Sequence, residues 1–240
     1  MIKLIIYAIL IQLTLSLMNS CKPADFWYGE YRQNGEVYYP GRIDSLSILP
    51  GNQRAILRFR ATTDPQVTYL KVYLRNSLSA NQTFSVHDLR SGDHGQIQLL
   101  ELPNLAEATY TANVFSFTAQ GDSSRAVTAS RFVYGNRYIN TLTNRPYSTI
   151  NRTNPDEHFL VFSREPNLPR LGLFYPMQFT EITYTDRAGA TKTVTTTPYN
   201  DFVSLADAAR PSIIRYRTAY KPVATSIDLF YTDYNDVAYD

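Results

Sequence analysis

Apolar residues recur at every second position in short runs along most of this chain, and turn residues separate the runs. Residues 42–49 set Ile43, Ser45, Ser47 and Leu49 against Asp44, Leu46 and Ile48, and stop at Pro50-Gly51-Asn52, a strong turn signal. Residues 54–60 place Ala55, Leu57 and Phe59 on one face and Arg58 and Arg60 on the other. After the break at Asp64-Pro65, residues 67–75 set Leu70, Val72 and Leu74 opposite Lys71, Tyr73 and Arg75. A period of two is the mark of a half-buried strand. Further strands are expected at 82–86, 96–100, 109–119 and 125–133, which makes seven in under a hundred residues and predicts a β-sandwich.

The second half has the same texture, with strands expected at about 158–163, 177–185, 192–197, 213–220 and 226–231. Residues 201–210 read as a helical turn, capped by Asp201 or Ser204 and ended by Pro211. The expected fold class is therefore all-β, with two tandem β-sandwich domains. The join at Tyr134-Gly135-Asn136-Arg137 has no long Ser or Pro stretch, so the domains should abut as a rigid rod.

The N-terminus reads differently. Met1-Ile2-Lys3 is followed by an apolar run over 4–15 and by Ser16-Leu17-Met18-Asn19-Ser20, directly before Cys21, the one cysteine of the chain. This is the pattern of a secretory signal peptide, too short to span a bilayer permanently. A lone cysteine in an exported chain has no internal disulfide partner. The stretch Leu17-Met18-Asn19-Ser20-Cys21 resembles a bacterial lipobox, and the resemblance implies that Cys21 is acylated and becomes the first mature residue; the alternative is an ordinary signal peptide with a stray cysteine. Lys22, where an Asp would resemble an inner-membrane retention signal, implies the outer membrane. Cys21-Lys22-Pro23-Ala24-Asp25 resembles the surface-export signals of Bacteroidetes lipoproteins, which implies the cell surface.

The expected organisation is a signal peptide over 1–20, a lipidated tether over 21–39, one sandwich over 40–135 and a second over 136–240. The tether carries Phe26, Trp27, Tyr28 and Tyr31. Such amphipathic rings suit a membrane interface or a partner surface, or pack on the chain's own domain.

Within the first sandwich, Leu102-Pro103-Asn104-Leu105-Ala106-Glu107-Ala108-Thr109-Tyr110 resembles the corner between the fifth and sixth strands of a fibronectin type III domain, with Tyr110 as the corner tyrosine. Phe59 takes the place of the tryptophan often found in the second strand. Three further segments extend the likeness: Gly35-Glu36-Val37-Tyr38-Tyr39-Pro40-Gly41-Arg42-Ile43, then Tyr134-Gly135-Asn136-Arg137-Tyr138-Ile139 with Asn144-Arg145-Pro146, and Tyr216-Arg217-Thr218-Ala219-Tyr220 running to Ile227-Asp228-Leu229-Phe230-Tyr231. In this order the chain is similar to a family of Bacteroidetes lipoproteins classed as a domain of unknown function. The resemblance implies a fibronectin-like first half and a β-rich second half. Family members are often followed by a discoidin-type carbohydrate-binding module, which the sequence to Asp240 does not include.

Composition narrows the function. Lys plus Arg 23 against Asp plus Glu 21 gives a net charge of +2 with the signs interspersed, which lacks the footprint of a nucleic-acid binder. Phosphate-loop, dinucleotide and Gly-x-Ser-x-Gly fingerprints are not found. His87-Asp88 and Asp93-His94 sit in a polar stretch but lack the close spacing of a metal site. No enzyme activity, cofactor or metal is expected.

Arginine supplies 18 of the 23 basic residues. Arg215 and Arg217, beside Tyr216 and Tyr220, suit bidentate recognition of carboxylate or sulfate on an acidic glycan; alternatively they form an outward strand face paired with neighbouring acids. The expected function is a non-catalytic outer-membrane lipoprotein, an accessory or binding subunit docking to a nutrient-uptake transporter and its companion lipoproteins or to another surface assembly. The alternative is a surface protein that captures a glycan or peptide on its own. Besides lipid attachment at Cys21, the candidate contact residues are Trp27, Tyr28, Tyr31, Arg215, Tyr216, Arg217 and Tyr220.

Overall fold

Strands make up nearly all the regular structure of the computed structural model, which describes residues 38–79, 81–154 and 157–240. Cys21, Trp27, Tyr28 and Tyr31 lie outside the described residues. Residues Pro40–Asp240 form one unit.

The first sandwich is built from β1 (Asp44–Pro50), β2 (Ala55–Arg60), β3 (Val67–Asn76), β4 (Gln82–Asp88), β5 (Ile97–Leu102), β6 (Ala108–Thr118) and β7 (Val127–Val133). Three strands in the order β1-β2-β5 face four in the order β4-β3-β6-β7, all antiparallel within their sheets. This is the strand order of a fibronectin type III domain. Ala55, Leu57 and Phe59 point inward and meet Leu70, Val72, Ala112 and Val114 from the facing sheet. Phe59 is fully buried and meets the His87 ring edge to face, so it plugs the core as expected. Tyr110 is buried in the same core.

The first strand departs from simple alternation. Ile43 and Ile48 are both buried although they have opposite parity. A bulge between Asp44 and Ser47, with Ser45 in a left-handed backbone (φ 55°), inserts one residue and flips the faces.

After β7 a single helical turn, α1 (Asn136–Ile139), leads to β8 (Tyr147–Asn151), β9 (Phe159–Phe162), β10 (Met177–Thr185), β11 (Thr191–Thr196), β12 (Phe202–Ser204), β13 (Ser212–Tyr220), β14 (Phe230–Tyr231) and β15 (Asn235–Tyr239). Here β12-β9-β8 faces β11-β10-β13, and both β14 and β15 pair with β13 as one interrupted last strand. The order repeats that of the first sandwich. Its core holds Leu160, Phe162, Ile182, Leu205, Ile214 and Tyr216. Each such side chain removed from water contributes about 1.5–3 kcal/mol.

The helical turn expected over 201–210 is instead a strand and a loop. Phe202, Val203 and Ser204 pair with Val161, Leu160 and Phe159. Asp201 does not cap a helix because its carboxylate is taken by Arg145 at 2.7 Å. Ser204 does use its hydroxyl locally, accepting the Ala206 N–H.

His158 is buried beside the last strand, its Nδ1 2.9 Å from the Tyr239 hydroxyl. Burial, followed by the charges of Arg210, Arg152 and Arg187, pushes its pKa below the ordinary 6.5. Above pH 6.5 the ring is neutral in both folded and unfolded chains; below it, the unfolded chain takes up a proton that the folded one resists. Stability is therefore expected to decline as pH falls from 6.5 and to level off once the folded ring also protonates. Urea midpoints measured between pH 7.5 and 5 test this, and a His158→Gln chain with an undiminished slope would count against it.

Candidate binding surfaces

Three features of the structure bear on function: an arginine ladder on the second sandwich, the joint between the sandwiches, and an aromatic sheet face on the first.

The alternation of β13 decides the fate of the residues singled out there. Arg215 and Arg217 point outward, whereas Tyr216 is only 3% exposed and packs edge to face on Phe162 in the core. Tyr216 is thus not available to a ligand. Arg217 sits opposite Glu181 in the β10 register, and its Nε donates to the carboxylate at 2.7 Å. Its guanidinium stacks over Tyr231 at 4.2 Å and Tyr234 at 4.7 Å. Burial works against the Arg217 charge, but the hydrogen bond and charge of Glu181 outweigh it and raise its pKa. Arg215, two residues earlier on the same strand, pairs with Asp236 at 2.9 Å and also lies over Tyr234, at 4.9 Å. This geometry is that of an outward face whose arginines pair with neighbouring acids. Tyr220 turns toward the linker, where its hydroxyl donates to the Thr143 carbonyl at 2.7 Å, and burial is the main cause that pushes its pKa to about 12.

The linker that Tyr220 holds contains the pair Asn144-Arg145. Asn144 inserts where the last strand is interrupted: its Oδ1 accepts the Thr218 and Thr232 hydroxyls, and its Nδ2 donates to the Asp233 carbonyl. Arg145 is fully buried. Its guanidinium donates to the carbonyls of Asn200 at 2.9 Å, Thr197 at 3.3 Å and Pro198 at 3.4 Å, and to the Asp201 carboxylate at 2.7 Å. Glu165 lies 4.0 Å from Nε, and Phe162 backs the group at 5.3 Å. One side chain thus gathers the β9–β10 and β11–β12 loops around the entry of the second sandwich.

The joint is equally specific. Asp228, in the loop between β13 and β14, accepts two hydrogen bonds from Arg54, at 2.6 and 3.0 Å, and one from the Asn52 N–H at 2.8 Å. The Arg54 hydrogen bond, against the opposing effect of burial and with help from the Asn52 N–H, holds the Asp228 carboxyl below its usual pKa. The Ile227 N–H donates to the Pro50 carbonyl. On the linker side, the Glu107 carboxylate accepts the N–H groups of Arg137 and Tyr138, covering the free donors at the start of α1. Tyr134, Tyr138 and Phe230 meet edge to face at 5.1–6.0 Å and seal the gap.

On the outer face of β4-β3-β6-β7, the outward positions carry Tyr69, Lys71, Tyr73, Phe84, Val86, Phe115 and Phe117. Phe84 is 66% and Val86 54% exposed. Tyr69 and Phe117 stack in parallel at 5.1 Å, with the Lys71 ammonium 4.6 Å from the Phe117 ring. Tyr73 meets Phe115 edge to face at 5.6 Å. Beneath them Ser116 and Thr118 point inward, so the end of β6 carries its phenylalanines outside and its hydroxyls inside. Sequence reasoning missed this face. Its signal was aromatic residues at both parities of one strand.

No curated protein matches the chain. Among solved structures it is similar to the FN1–FN3 domains of chicken CNTN1, at 9% identity and a TM-score of 0.43, over 85% of this chain and 69% of that one. It is also similar to a two fibronectin type III domain segment of chicken tenascin, at 9% identity and a TM-score of 0.33, over 83% of this chain and 99% of that one. The family model DUF4998, described as a domain of unknown function, matches residues 21–230, which is most of the chain and includes the joint, the Asn144-Arg145 pair and the aromatic face. The chain therefore belongs to the DUF4998 family.

Proposed function

We propose that this chain is a non-catalytic lipoprotein of a Bacteroidetes outer membrane, anchored at Cys21 and facing the cell surface, where it serves as an accessory arm of a nutrient-uptake or other surface assembly. The observation that carries the reading is the joint: Asp228, Arg54, Glu107 and the Tyr134–Tyr138–Phe230 cluster fix one sandwich against the other. A protein that only needs to reach a ligand gains nothing from a fixed angle between its modules. A subunit that holds one surface at a set distance and orientation from a membrane does. The outward Arg–Tyr ladder and the open sheet edges supply contact area of the kind partner subunits use.

The test is recovery from the native outer membrane in mild detergent through a C-terminal tag, with co-purifying chains identified by mass spectrometry. Stoichiometric recovery with a transporter and companion lipoproteins is expected, and recovery alone would overturn the assembly role. The anchor is tested separately. Three acyl chains at ~0.8 kcal/mol per buried methylene make attachment effectively permanent, so Cys21→Ala should move the protein wholly to the soluble fraction. A variant that still pellets with membranes in the absence of detergent would remove the lipid from the reading.

A further inference from the structure

We propose that the outer face of the first sandwich holds a carbohydrate site that takes a neutral pyranose, as part of a longer glycan, in the groove between Tyr73, Phe115 and Phe117. The groove has a volume of about 300 Å³ and runs obliquely over the sheet, from Gln82 on β4 past Tyr73 on β3 and along Asn113, Phe115 and Phe117 of β6 to Ser123. That volume lies at the lower end of the ~300–1,000 Å³ range of small-ligand sites.

Its lining is chemically mixed in the way a sugar is. Tyr73, Phe115 and Phe117 supply apolar ring surface for the C–H patches of a pyranose. The polar members are held ready. The Thr128 hydroxyl donates to Asn113 Oδ1 at 2.7 Å, which orients the amide and leaves both Nδ2 donors for a ligand. The side chains of Gln82 and Ser123 make no hydrogen bond among the described residues, so an amide and a hydroxyl stand unused at the two ends of the groove. An apolar partner would leave these polar groups unpaired, at a cost of about 1–3 kcal/mol for each one buried.

Charge narrows the class further. None of the six lining residues is charged. The Lys71 ammonium is engaged over the Phe117 and Tyr69 rings, and Asp122 accepts the Thr118 hydroxyl and its own N–H is bonded back to that hydroxyl. No guanidinium fork enters the groove, so an acidic sugar finds no bidentate partner there. An extended peptide is recognised through the main chain of an open sheet edge, whereas β3 and β6, which carry most of this lining, are each paired on both sides. The site stands independently of the accessory role, because it needs neither the anchor nor the joint.

The test uses the full lipidated protein in detergent, titrated calorimetrically with maltohexaose, cellohexaose and mannohexaose, with hexagalacturonate and an unstructured peptide mixture as controls. Binding of at least one neutral hexaose is expected. Asn113→Ala and Phe115→Ala should each weaken it about tenfold, the effect of roughly 1.4 kcal/mol of lost contact. Both side chains lie on the outer face, so melting temperatures should be unchanged, and Lys192→Ala on the second sandwich should leave affinity as it was. The proposal is overturned by no neutral hexaose binding up to on the order of 10 mM, by binding that both groove variants leave intact, or by binding of the acidic hexamer or the peptides alone.

Discussion

Arg145→Leu is expected to unfold the second sandwich at temperatures where the first remains folded. The guanidinium is fully buried and its donors serve the Thr197, Pro198 and Asn200 carbonyls and the Asp201 carboxylate. Leucine supplies none of these. Removing one partner of a buried ion pair costs about 3–5 kcal/mol, and the low end, about 3 kcal/mol, applies here because the Asp201 side chain is 34% exposed and water can reach it. Against a domain stability of about 5–15 kcal/mol this is a large fraction. At roughly 4–8 °C per kcal/mol for a domain of this size, the transition of the second sandwich should fall by about 12–24 °C. Arg145→Lys should recover little, since one ammonium cannot reach three carbonyls and a carboxylate together. Arg215→Leu provides the contrast: its pair with Asp236 is exposed, and such pairs contribute about 0–1 kcal/mol. Scanning calorimetry of the three variants decides the matter. If Arg145→Leu melts within about 2 °C of the parent, the arginine is not what holds the loops together.

The sandwiches were legible because alternation is a local signal. The strand over 54–60 needed only Ala55, Leu57 and Phe59 at every second place, and β10 was read to the residue. What escaped was set by contacts between distant parts of the chain. β12 has three residues, too few to show a period, and exists because β9 offers an edge; Asp201 looked like a helix cap because nothing local announces that Arg145, 56 positions earlier, claims its carboxylate. β15 was missed because Asn144 interrupts the last strand and leaves Val237 and Tyr239 as a short fragment. The aromatic face escaped for a different reason. Hydrophobicity at the end of β6 favours burying Phe115 and Phe117, but the alternation set by Tyr110, Ala112 and Val114 runs unbroken and leaves Ser116 and Thr118 inward, where Ser124 Oγ accepts the Ser116 N–H and Thr118 is tied to Asp122. Of the candidate contacts on β13, the chemistry of Arg215 and Arg217 was readable and their partners were not.

Gly51→Val is expected to spring the joint without unfolding either sandwich. Gly51 sits in the turn between β1 and β2, and a Cβ there would lie 2.3 Å from Asp228 Oδ2 and 2.8 Å from Ile227 Cγ1. Both distances are far inside contact, so the Asp228 carboxylate and the Ile227 side chain must leave their places. That displacement breaks the bonds from Arg54 and Asn52 to Asp228, because all of them end on the carboxylate that has to move. The cores lie elsewhere and should stay intact. Small-angle scattering should then show a larger radius of gyration. Gly92→Val is the control, since a Cβ at that position meets nothing within 4 Å. Acid offers a second route to the same state. The Asp228 pKa is lowered in the folded chain from 3.8, so its contribution to the joint is complete above pH 3.8 and is lost as pH falls through the lower folded value. As pH falls below 3.8 through that lower folded value, scattering should therefore approach that of Gly51→Val at pH 7, provided far-ultraviolet circular dichroism shows the strands still formed. A Gly51→Val profile that superimposes on the parent would mean that the contacts at Asp228 follow the angle between the sandwiches and do not set it, and the case for a rigid arm would fall with them.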